Sequence, residues 1–127
     1  MNPKIAPTLT YSRAEYPFIA HNISSALASG APSMLTRVTG GEITANRDAV
    51  CRGAARRQLE AEQPKPADMD RPSCDEYPFA SSIEGGAGAH TMWVPQKEND
   101  QQGLKMSAFY RNNQIQSGDN YVVEVIP

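Results

Sequence analysis

At 127 residues and a formal net charge of −2, the chain is sized for one domain and carries no global charge signature of a nucleic-acid partner. Aromatic residues make up 7 %, and 10 prolines with 9 glycines punctuate the sequence, which argues for a small-cored, loop-rich α+β domain and against a helical bundle. There is no apolar run of about eighteen residues, so no membrane-spanning helix is expected.

Residues 1–15 are polar and proline-punctuated and read as an extended N-terminal segment, ahead of a domain over 16–127. The opening M-N-P-K-I-A-P-T-L-T has no apolar h-region and is not a signal peptide. That leaves a cytosolic protein, or one whose leader or larger upstream region has been removed. Tyr16-Pro17 opens a helix, because proline in the first turn has no N–H to waste. Ile19, Ile23, Ala26 and Leu27 share one helical face, and Gly30 is the left-handed stop. His21 in this helix reads as a surface or capping residue.

Leu35 and Val38 suggest a short strand, turned by Gly40-Gly41. A second helix is expected from Thr44 or Asn46 to about Glu62, stopped by Pro64, and Arg47, Arg52, Arg56 and Arg57 make it the most basic segment. A solvated face and a phosphate-contacting face are both open readings for it. Cys51 and Cys74 allow one bridge or two free thiols. Residues 63–73 form a linker-like loop able to return Cys74 to the helix carrying Cys51.

Ser73 to Gly86 then places Asp75, Glu76 and Glu84 beside a cysteine, Tyr77-Pro78 and a glycine pair. Carboxylates this close repel unless a divalent cation or arginines join them. His90–Val94 reads as a strand. A helix is expected to enter at Asn99 or Asp100 as cap, with Leu104, Ala108, Phe109 and Tyr110 on its apolar side. Gly118-Asp119-Asn120 is a turn, and Y-V-V-E-V-I closes the chain as a β-branched strand. Two short strands followed by a helix can surround one metal ion. In that frame Glu84 and Asn99 offer oxygens, and Asp75 or Glu76 can take a proton. On the residues alone, an ordinary acidic loop is the competing reading.

C-D-E-Y-P-F-A (74–80) followed by E-G-G (84–86) resembles the signature of the NucA/NucB deoxyribonucleases. Y-P-F-I-A-H-N-I (16–23), L-T-R (35–37), N-R-D-A-V-C (46–51), N-D-Q-Q-G (99–103), A-F-Y (108–110) and G-D-N-Y-V-V-E-V (118–125) extend the similarity over most of the chain. The resemblance implies a compact ββα-metal-type nuclease core, cutting DNA with little sequence preference and leaving 5′-phosphate and 3′-hydroxyl ends. It implies Asp75 as general base in place of the usual histidine, with Glu76 beside it. Glu84 and Asn99 are then the expected holders of one divalent ion, magnesium or manganese, with Gln102 in support. Where a branch of the family carries D-R, this chain has Ser73-Cys74, so Arg71 becomes the expected supporting basic residue. Arg52, Arg56 and Arg57 become the expected DNA contacts, and the exported character of the family favours a Cys51–Cys74 bridge. His90 matches none of these motifs and reads as a strand residue. A free-standing secreted nuclease and an excised toxin domain blocked by an immunity protein are both implied, as a monomer. A non-catalytic DNA- or partner-binding module is the alternative from another class.

Overall fold

The computed structural model describes residues 5–127. Five strands and four helices run β1 (Thr8–Ser12), α1 (Pro17–Ala28), β2 (Met34–Thr36), α2 (Gly41–Cys51), α3 (Gly53–Glu62), β3 (Pro72–Tyr77), β4 (His90–Pro95), α4 (Gln96–Asn112) and β5 (Asn120–Ile126). They make an α+β domain with two separate sheets. One has the order β1-β5-β2, with β1 parallel and β2 antiparallel to β5; the other is the antiparallel β3-β4 hairpin. The hairpin followed directly by α4 is the ββα unit.

α1 begins on Pro17 and ends in Gly30 at φ 101°, where the Ala31 N–H returns to the Ala26 carbonyl at 3.0 Å. Its buried face, Ile19, Ala20, Ile23 and Ala26, packs against the hairpin and the larger sheet together. With Leu9, Tyr11, Leu35, Tyr77, Phe79, Val94, Ile115, Tyr121 and Val123 it forms one core. Rings meet edge-to-face within it, Tyr77 with Phe79 at 5.1 Å and Tyr110 with Tyr121 at 5.5 Å.

Three expectations are corrected. Thr8–Ser12 is a paired strand, not merely an extended approach; its Leu9 and Tyr11 are buried and its partner is at the far end of the sequence. Residues 1–4 of that segment lie outside the described residues. The basic helix is two helices, broken where Arg52 is extended (φ −137°, ψ 162°) and Gly53 takes φ 58°. α4 starts at Gln96, directly after Pro95 closes β4, so Asn99 and Asp100 lie inside the helix rather than capping it. Its Leu104 is 73 % exposed and contributes nothing to the core.

The glycine pair after Glu84 has a steric cause. A Cβ on Gly85 would stand 2.2 Å from the Phe79 carbonyl oxygen, and Gly86, at φ 93°, backs onto the Asn46 side chain. Asn46 Nδ2 donates to the Ala80 and Ser82 carbonyls at 3.0 and 2.9 Å, holding this loop against α2.

Candidate active site

A cleft of about 1290 Å³ runs along β3, with α2 and α3 on one side and α4 on the other. Asp75 and Glu76 form its floor, and Arg37, Arg47, Arg52 and Arg56 stand around it. Four arginines thus gather at one cleft of a chain with negative net charge, Arg52 pairing with Asp48 at 3.2 Å and Arg56 with Glu60 at 3.5 Å.

Side chains alternate along a strand, so Asp75 meets α1 and α4 while Glu76 meets α2. Asp75 is 4 % exposed, and each carboxylate oxygen has its own donor. Asn22 Nδ2 of α1 reaches Oδ2 at 2.9 Å, and Gln102 Nε2 of α4 reaches Oδ1 at 2.9 Å. Burial pushes the Asp75 carboxyl up to about 6; the two amides and the Glu76 backbone N–H pull it down less strongly. Glu76 is pushed up to about 7 by burial and by the neighbouring Asp75 charge, with Arg47 opposing.

Glu76 is short of donors. Its Oε1 is buried without a partner, and its Oε2 rests 3.0 Å from Cys51 Sγ, which as half of a disulfide has no hydrogen to give. Gln102 Nε2 donates to Asn99 Oδ1 at 3.0 Å as well as to Asp75, while its Oε1 is likewise buried and unpartnered. Two orphaned acceptor oxygens in a carboxylate cleft suit a hard cation, which takes oxygen ligands and no hydrogen. Among the described residues no three His, Cys, Asp or Glu side chains converge, so amide oxygens must complete such a set.

The matching family model, Deoxyribonuclease NucA/NucB, covers residues 23–124. The chain belongs to this deoxyribonuclease family. Membership makes it a nuclease of the hydrolase class with DNA as substrate. No curated protein matches the chain.

Within this NucA/NucB frame the expected residues separate. Asp75, Glu76, Asn99, Gln102, Arg52 and Arg56 all line the cleft. Glu84 does not. Its Oε1 accepts the Thr36 backbone N–H at 2.7 Å and its Oε2 the Thr36 hydroxyl at 3.1 Å, so it fastens the signature loop to β2. Arg57 is exposed on α3 and also lies outside the cleft lining. Arg71 takes φ 46° ahead of β3; its carbonyl accepts the Gln96 N–H at 3.0 Å, and its exposed side chain does not line the cleft. Asn99 holds its place by donating to Ser73 Oγ at 2.8 Å.

Cys51 and Cys74 are bridged with Cα atoms 5.8 Å apart, joining the end of α2 to β3 one residue before Asp75. No described helix is long and apolar enough to cross a membrane.

Sequence reasoning passed over Asn22, Arg37 and Glu98. Asn22 is wholly buried on a face otherwise made of Ile and Ala, and that break in the apolar pattern was the available signal. Arg37 stacks 4.4 Å from the centre of the Tyr110 ring at one end of the cleft. Glu98 Oε1 accepts the Ile19 N–H at 2.8 Å, satisfying a free donor in the first turn of α1 from another helix.

Proposed function

We propose that the cleft hydrolyses DNA phosphodiester bonds, with Asp75 as general base and a divalent cation, magnesium or manganese, bound beside it. The observation that carries this reading is a buried carboxylate gripped by two amides, next to a second carboxylate with no donor, under a rim of arginines. Glu76 and Gln102 would hold the cation through their unpartnered oxygens, with Asn99 bracing Gln102. When bound, it supplies positive charge for the phosphate's non-bridging oxygen and for the departing 3′ oxygen.

Asp75 then takes a proton from the attacking water. An ordinary aspartate is a weak base near neutral pH; burial that lifts its carboxyl to about 6 strengthens it while leaving it largely ionised at pH 7. Asn22 and Gln102 fix the carboxylate plane, so no reorientation precedes the transfer. Arg47, Arg52 and Arg56 attract and seat the flanking phosphates. The bond from phosphorus to the 3′ oxygen then breaks and that oxygen takes a proton from solvent, leaving a 5′-phosphate and a 3′-hydroxyl, while Asp75 returns its proton to solvent. The Cys51–Cys74 bridge supports action in an oxidising compartment, in keeping with a secreted or exported nuclease.

Supercoiled-plasmid nicking tests this. Asp75→Asn should lower the rate by at least ~10²-fold, chelator should abolish cleavage, and Glu76→Gln should raise the magnesium or manganese concentration needed for half-maximal rate. Nicking by Asp75→Asn at close to the wild-type rate would place the base elsewhere.

A further inference from the structure

His90 stands outside the cleft, on the far side of the hairpin. It is the first residue of β4, opposite Tyr77, and its exposed ring lines a separate hollow of about 510 Å³ with Gln63 and Tyr77. Its Nδ1 lies 2.8 Å from Asn22 Oδ1. The same Asn22 amide presents Nδ2 to Asp75 Oδ2 at 2.9 Å.

Donor and acceptor roles along this chain follow from one end. An ionised Asp75 can only accept, so Asn22 must turn its NH2 toward it. Asn22 Oδ1 therefore faces His90, and His90 Nδ1 must carry the hydrogen. Reversing the Asn22 amide would set an oxygen against the carboxylate and an NH2 against the ring N–H, which breaks both contacts.

We propose that His90 is a positioning residue of the nuclease reaction, acting through Asn22 to hold the Asp75 carboxylate in the plane from which it accepts the proton. This rests on the reading of Asp75 as base. The Nδ1–H of His90, held against Asn22 Oδ1, favours the one amide orientation in which Nδ2 faces the Asp75 carboxylate. Gln102 supplies the same service to Oδ1 from α4, with Asn99 as its anchor, so the two carboxylate oxygens are braced in parallel ways from two helices.

The ring of His90 is exposed, so its removal leaves the core intact and the test is clean. Plasmid nicking in magnesium is measured at several DNA concentrations for His90→Ala, His90→Gln and His90→Asn, each with a melting curve. A lost hydrogen bond of ordinary strength corresponds to roughly a five- to tenfold fall in kcat. That fall is expected for His90→Ala and His90→Gln, with KM unchanged and the melting temperature within about 5 °C of wild type. His90→Asn places its amide nitrogen where Nδ1 stood and should return to within about twofold of wild type. In an Asn22→Ala background, His90→Ala should cost nothing more. Wild-type kcat in His90→Ala, a loss appearing in KM instead, or His90→Asn as slow as His90→Ala would overturn the proposal. Asp75→Asn run alongside separates the two readings. If it is inactive while His90→Ala is undiminished, only the positioning role fails; if it is active, the base assignment fails first.

Discussion

Replacing Asp75 by Asn should stabilise the fold while it removes activity, and the size of the gain follows from the site. Burial lifts the folded carboxyl from 3.8 to about 6. A raised carboxyl favours folding fully only below its unfolded value, and that contribution is lost as pH rises through about 6. At pH 8 the folded protein thus carries an ionised, desolvated carboxylate at a cost of about 3 kcal/mol. An amide in its place has no such cost, but its NH2 must face either Asn22 or Gln102, both of which present donors. Gln102 is the one able to adapt, because turning its unpartnered Oε1 toward the substituted amide sacrifices only its bond to Asn99. That loss is about 1 kcal/mol. The net gain at pH 8 is about 2 kcal/mol, or roughly 6–10 °C in melting temperature for a domain of this size. Near pH 4.5 the wild-type carboxyl is protonated in the fold and the gain should shrink to about zero. Circular dichroism melts of both proteins in chelator, at pH 8 and pH 4.5, measure it. A variant that melts at or below wild type at pH 8, or an equal gain at both pH values, would refute the argument.

At saturating magnesium, which keeps Glu76 ionised, the rate of plasmid nicking should fall about tenfold per pH unit below about 6, as Asp75 protonates, and level off above it; an acid limb centred near 4 would mean that burial does not set the base. Replacing both Cys51 and Cys74 by serine releases a loop of 23 residues and should lower unfolding free energy by about 3 kcal/mol, read as an earlier denaturant midpoint. An unchanged midpoint would count against the bridge as a stabilising element. Arg56→Glu should weaken DNA binding in fluorescence anisotropy and reduce the slope of log affinity against log salt by about 0.9, one duplex phosphate. Arg57→Glu, outside the cleft lining, should leave that slope unchanged, and equal effects from the two would remove the distinction.

Local chemistry made much of this readable in advance. Pro17 and Gly30 bracket α1, and Y-V-V-E-V-I could scarcely be anything but a strand. What escaped was set by distance along the chain. β1 is five residues in a proline-punctuated stretch, and its identity depends on a parallel partner more than a hundred positions away. Gly53 did signal the break in the basic helix, but a lone glycine inside an otherwise helical pattern is usually tolerated. In the site, Asp75 stood out by its motif, whereas Asn22 looked like any polar residue in a helix until burial showed that it needed partners. Glu84 shows the converse. A carboxylate in an acidic stretch invites a metal, but the partner it has in the fold, Thr36, sits 48 residues earlier on another strand.

The Glu98–Ile19 contact has a mechanical consequence. It fastens α4 to the first turn of α1, and these are the helices that supply Gln102 and Asn22. Floor and near wall of the cleft thus form a fixed jaw with Asp75 clamped inside it. The opposite jaw, α2 and α3, is fastened separately, by the Cys51–Cys74 bridge and by Asn46, and its far end is tied to β4 where Trp93 Nε1 donates to the Gln63 carbonyl. The two jaws thus hang on independent ties, so a change that loosens the arginine-bearing side leaves the grip on Asp75 intact.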